Sequence, residues 1–163
     1  MTQDAHEAQS HANRLIDGLA RTTGLDNLVF DEIGCCNLMI DEQEMTIGFD
    51  DAALDMFLMA PVMTVPVSPS QDFYVSVLED NFTAYFNSAG CIALDGDENH
   101  IVWLDRRTLG KLDQRSFEAW LLEGVGCAEF WARELQQRVN SAELASAAPA
   151  LAEASNDEKV FRV

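Results

Sequence analysis

The 163-residue chain carries 28 Asp and Glu against 10 Lys and Arg, a formal charge of −18, and sixteen of those carboxylates lie between Arg21 and Arg106, where no Lys or Arg occurs. Such a field repels phosphate, which excludes nucleic-acid backbones and anionic membrane surfaces as partners. The carboxylates are interspersed with regular apolar patterns, so this is a folded acidic body whose partners are other proteins with basic or apolar faces.

The length supports one domain with a core of its own. No stretch approaches the ~20 apolar residues of a membrane span, and Met1 to Gln9 lacks the basic-then-apolar order of a signal peptide, so a cytoplasmic location is expected. Cys35 and Cys36 are adjacent, whereas Cys91 and Cys127 stand alone in apolar patterns, and no CxxC spacing occurs. Reduced, buried thiols are expected, with neither zinc nor a redox pair.

Residues 1–11 read as a flexible N-terminus leading into a helix from His6 to Thr22, whose apolar stripe is Ala12, Leu15, Ile16 and Leu19, stopped by Gly24. Three strands follow. Cys36, Leu38 and Ile40 alternate with Asn37, Met39 and Asp41, Met45, Ile47 and Phe49 alternate with Thr46, Gly48 and Asp50, and Met56 to Val62 is a continuous apolar run closed by Pro61 and Pro66. Ser68, Pro69 and Gln71 predict a capped helix start, and that helix runs to about Asn87. Its apolar face, including Phe73, Val77, Leu78, Phe82 and Phe86, is wider than one sheet needs. Cys91–Leu94 and Ile101–Leu104 are strands joined by an acidic turn at Asp95-Gly96, and Arg106 to Lys111 is a basic connector. Asp113 is placed to cap a last helix with the stripe Phe117, Leu121, Gly124, Ala128, Trp131 and Leu135. After Asn140 the composition shifts to Ala, Ser and Glu, so 12–140 reads as the domain and 141–163 as a flexible acidic tail. The order α-β-β-β-α-β-β-α predicts an α+β domain: an antiparallel sheet of about five strands with helices on one face.

Catalytic and metal motifs are absent. Asp95 to Asn99 starts like a calcium loop, but His100 stands where the loop needs Gly and Arg106 where it needs Glu. The three histidines have no ligand-spaced neighbours, and no nucleophile or phosphate-loop motif occurs, so no enzyme activity, metal or cofactor is predicted. A thiol enzyme built on Cys35 or Cys36 would need a low thiol pKa. Apart from Met1, every methionine (Met39, Met45, Met56, Met59, Met63) falls in the three-strand segment. Flexible thioethers suit either a core or a surface that accepts several apolar partners, and Met39, out of phase with Leu38 and Ile40, is the best surface candidate.

Several of these pieces resemble the class I type III secretion chaperones, the Tir-chaperone (CesT-like) family, over Ala12 to Leu135. They are Thr23-Gly24-Leu25 after the first helix, Cys36–Asp41 paired with Met45–Phe49, Val77–Phe82 in the second helix, Gly90–Asp95, Ile101–Leu104, and the closing helix through Phe117 and Trp131. The resemblance implies a cytoplasmic homodimer without catalytic activity. Such a dimer binds the N-terminal segment of one or more secreted effectors, keeps it unfolded and delivers it to the export apparatus, whose ATPase would be a further partner. Carried onto this chain, it implies an effector groove of Leu15, Ile16, Leu19, Leu38, Met39, Ile40, Met45 and Ile47, and a dimer interface of Val77, Leu78, Phe82, Phe86 and Trp103. The competing reading is a protein-binding or regulatory domain of the same fold with no secretion role.

Overall fold

The period-two segments assemble into one five-stranded antiparallel sheet, in the order β1-β2-β3-β5-β4. The computed structural model describes residues 3–25, 27–87 and 90–156. Along the chain these form α1 (Gln3–Thr23), β1 (Cys35–Ile40), β2 (Gln43–Asp50), β3 (Asp55–Thr64), α2 (Gln71–Phe86), β4 (Cys91–Asp95), β5 (His100–Thr108), a 3-10 turn (Leu109–Lys111) and α3 (Gln114–Asn156).

One sheet face carries Leu38, Met45, Ile47, Met56, Leu58, Ala60 and Trp103, all buried beneath the stripes of α1 (Ala12, Leu15, Ile16, Leu19) and α3 (Phe117, Trp120, Leu121, Ala128). Each fully buried aliphatic or aromatic side chain contributes about 1.5–3 kcal/mol. Gly124 lets α3 settle on the sheet, because a Cβ there would meet the Trp103 ring at 3.0 Å and Leu58 at 3.1 Å. The Trp120 indole N–H donates to Asp105 Oδ2 at 2.6 Å, and the Arg107 guanidinium stacks 5.2 Å from the Trp120 ring.

Element ends follow local chemistry, with some shifts from expectation. Gly24, at φ +71, closes α1 by donating to the Ala20 carbonyl. Asp113 and Ser116 cap α3 reciprocally, each side chain accepting from the other's backbone N–H. The cap of α2 is Ser70 rather than Ser68: its hydroxyl accepts from the Phe73 N–H at 3.1 Å, leaving Pro69 outside the helix. Strand β3 runs through Pro61 to Thr64, because pairing with β2 has ended at Thr46–Met59, a bulge follows on the β5 side, and Gln43 Nε2 takes the Pro61 carbonyl instead. Strand β5 takes in Arg106 and Arg107, so half of the expected connector is strand. Helical backbone covers 3–11, with Ala8 packed on the core, and continues from Asn140 to Asn156. Met1, Thr2 and 157–163, which belong to the two segments read as flexible, lie outside the described residues.

The two sheet edges differ. At the β4 edge, the Asn81 side chain of α2 accepts from the Ile92 N–H at 2.8 Å and donates to the Ile92 carbonyl at 3.1 Å, imitating a neighbouring strand. At the β1 edge, Asp31 does the same for Cys35 through its backbone N–H and its Oδ1. Gly34 bonds to β2, so by alternation Asn37 and Met39 are the next residues whose N–H and C=O point away from the sheet. These two have no backbone cover among the described residues.

Replacing Asn81 by Ala should cost about 1–2 kcal/mol, because Ile92 loses both partners, and should open the β4 edge to other strands. Chemical denaturation at fixed protein concentration measures the first effect and light scattering the second. Unchanged values in both would mean that solvent already satisfies Ile92.

Candidate functional site

The open edge runs beside a cleft. Leu19, Thr22 and Thr23 at the end of α1, Leu25, β1 residues Leu38 to Ile40, Asp41, and Glu118, Leu121 and Leu122 of α3 enclose a space of about 470 Å³. Met39 and Leu122, which line this space, are 57% and 65% exposed and so leave apolar surface for a ligand. A cleft of apolar walls next to unpaired strand groups can hold an extended polypeptide. The backbone is bonded without regard to sequence, while side chains enter the cleft.

The expected groove residues divide in two. Leu19, Leu38, Met39 and Ile40 line the cleft. Leu15, Ile16, Met45 and Ile47 do not line it; buried at 0–3% exposure, they hold α1 on the sheet and support the groove from beneath. Sequence reasoning missed Thr22, Leu25, Glu118 and Leu122. The signal for Leu122 was available, since it stands one residue off the Phe117–Leu121 stripe.

The methionines divide as well. Met45 and Met56 are fully buried, whereas Met39 is exposed and Met59 and Met63 are half-buried. Strand register explains this. Asn37, Thr46, Met59, Leu104 and Cys91 form one row across all five strands, on the sheet face opposite α3. The next row contains Cys35, Gly48, Phe57 and Arg106, and the Phe57 ring lies so close over Gly48 that a Cβ there would stand 1.9 Å from it.

A second apolar surface lies on α2. Leu78, Phe82 and Phe86 are 66%, 69% and 68% exposed, with the Phe82 and Phe86 rings edge-to-face at 4.9 Å. The helix packs along β4, and Arg138 of α3 ties it down through Asp80 and Ser76. Val77 faces inward at 8% exposure and Trp103 is a core residue at 1%, so these two expected interface residues are already buried within the chain. Trp103 is large enough to suit an interface, but the room made by Gly90 and Gly124 lets the ring turn inward.

The fold has a match among known proteins. The Tir chaperone protein (CesT) family matches residues 14–132, which is most of the chain. This chain belongs to the Tir chaperone (CesT) family. No curated protein matches it. Among solved structures it is similar to the ExsC–ExsE complex (TM-score 0.69, 24% identity, covering 78% of this chain and 95% of that chain). It is also similar to the HopA1–SchA chaperone–effector complex (TM-score 0.65, 20% identity, 78% and 97%). A third is the Yersinia pestis type III secretion chaperone SycH with a fragment of YscM2 (TM-score 0.54, 17% identity, 71% and 95%). At these identities the likeness is one of fold.

Two observations bear on other chemistry in this CesT-family chain. No group of three or more His, Cys, Asp or Glu among the described residues could hold a metal ion, and no described helix is long and apolar enough to cross a membrane. Burial raises the pKa of all four thiols, with Asp31 adding to the effect at Cys35, and Asp105 at Cys91 and Cys127. A raised pKa leaves less thiolate at neutral pH, the opposite of what a cysteine nucleophile requires.

Native protein should therefore react with a disulfide reagent more slowly at pH 7 than unfolded protein. The rate should climb as pH passes upward through and beyond the ordinary thiol range, where the thiolate forms. A fast phase at neutral pH, confined to Cys35 or Cys36, would contradict the assignment.

Proposed function

We propose that this chain is a type III secretion chaperone of the bacterial cytoplasm. It binds, as a homodimer, the N-terminal segment of one or more effector proteins, keeps that segment unfolded and delivers it to the export apparatus. The observation that carries this reading is the open β1 edge beside an apolar cleft in a chain of the CesT family. The solved complexes of the same fold are consistent with it, since HopA1–SchA is by name a chaperone–effector pair. The protein performs no catalysis on its cargo: preventing a segment from folding requires only that binding outcompete its collapse, and edge pairing with apolar pockets supplies that.

The effector-binding unit spans residues 12–140. Its dimer seam is the outward face of α2, centred on Leu78, Phe82 and Phe86. Burying these side chains against a second copy removes three large apolar groups from water, and a two-fold axis brings the same face from both chains together.

A tagged pull-down from secretion-induced cells, with limited proteolysis of what is captured, tests the function. The expected result is a secreted protein protected over a stretch near its N-terminus; a homodimer that captures no secreted protein would favour a regulatory domain of the same fold. The seam is tested by Phe82→Glu, which places an unpaired charge where it must be desolvated. Sedimentation should show a dimer for the parent and a monomer for the variant, and a dimeric variant would place the seam elsewhere.

A further inference from the structure

The β1 cleft has a polar feature that an apolar groove does not need. Glu118 is half-buried in its wall, and its Oε1 accepts from Gln114 Nε2 at 2.8 Å. The Thr22 hydroxyl lies 3.1 Å from the same oxygen and shares its proton with the Gly18 carbonyl at 3.0 Å. Gln114 also donates to the Leu15 carbonyl at 3.3 Å, so the carboxylate is braced from α1. Its second oxygen has no hydrogen-bond or ion-pair partner among the described residues. The ion pairs found there use Arg106, Arg107 and Arg138, none of which lines this cleft. Asp41, another lining residue, adds a second carboxylate.

We infer that the cleft selects extended segments carrying a Lys or Arg, and that Glu118 is the specificity residue that receives it. The inference rests on the chaperone reading above and adds the chemistry of the cargo. A carboxylate held in one orientation, partly out of water and without a counter-charge, is improved by a cation that brings charge-assisted hydrogen bonds to the free oxygen. The apolar floor of Leu19, Leu121 and Leu122 fixes what stands next to that cation. A strand added along β1 directs alternate side chains to the helix side, so cleft-facing residues are two apart, roughly 6.5–7 Å. The selected segment therefore places an apolar side chain on the floor and a basic one two positions away. The overall charge of −18 draws in any basic chain, whereas Glu118 sets register within the cleft.

The test uses a random library of extended peptides, about 12 residues long so as to overreach β1, selected on the full-length dimer, on Glu118→Gln and on Leu122→Asp. Gln can keep the bracing acceptor while replacing the free, charged oxygen with an NH2 group that cannot accept from a cation. The parent should enrich Lys or Arg two positions from an apolar residue. A selected peptide should bind the parent roughly tenfold more tightly than its Lys→Gln counterpart, but less than about twofold more tightly on Glu118→Gln. An equal preference for the basic peptide in both proteins would overturn the role of Glu118 while leaving the groove intact, provided Leu122→Asp abolishes the apolar enrichment. If Leu122→Asp leaves that enrichment unchanged, the cleft is not the binding site, and the chaperone groove and the inference fall together.

Discussion

A sheet with one face under helices must still satisfy the backbone groups along its two outer strands, and the order β1-β2-β3-β5-β4 puts β1 and β4 in that position. An unpaired edge invites association with any extended chain, so proteins usually cover both. Here a single side-chain amide, that of Asn81, serves the N–H and C=O of Ile92 on β4, and by alternation Leu94 is the one outward residue of that strand without such cover among the described residues. Asp31 closes the first residue of β1 and goes no further, leaving Asn37 and Met39 open. The longer uncovered stretch is thus on β1, and it is the one that runs beside the cleft.

Because Asn81 belongs to α2, its bonds to Ile92 also fix the orientation of that helix. With Asn81 and Val77 turned inward, Leu78, Phe82 and Phe86 face outward. The proposed seam and the contact to Ile92 are then two sides of one helix, and β1, the proposed cargo edge, lies at the far side of the sheet. A dimer formed through α2 would leave both β1 edges free, giving an extended effector segment two places to bind. The acidity suits this arrangement. Repulsion among 28 carboxylates opposes further self-association through the open edges, while basic segments are still attracted.

Much of this was legible in the sequence. Period-two alternation in Cys36–Ile40 and Met45–Phe49 marks strands, although β2 proves buried on both faces, and the 3.6-residue stripes of α1 and α3 require a common core, so element order and fold class followed. The sequence could not divide one stripe between two tasks. Leu15 and Leu19 are one turn apart on the same face of α1 and both are core residues, and only tertiary packing sets the second beside the cleft as well. Trp103 was misplaced for a related reason, because the space that receives its ring is made by glycines distant in sequence. Helix α3 continues past its stripe into an Ala-rich segment that favours helical backbone except at Pro149. Glu118 carried no pattern at all, since its significance comes from bonds to Thr22 and Gln114 across a helix–helix contact.

The central claim is that cargo binds by pairing with the open edge of β1. Amide hydrogen exchange on the chaperone, free and with captured cargo, tests it at single residues. Strand addition predicts that the Asn37 and Met39 amides exchange freely in the unbound dimer and become strongly protected in the complex, while Ile92, already bonded to Asn81, changes little. Unchanged exchange at Asn37 and Met39, with new protection confined to α2 or β4, would contradict the account.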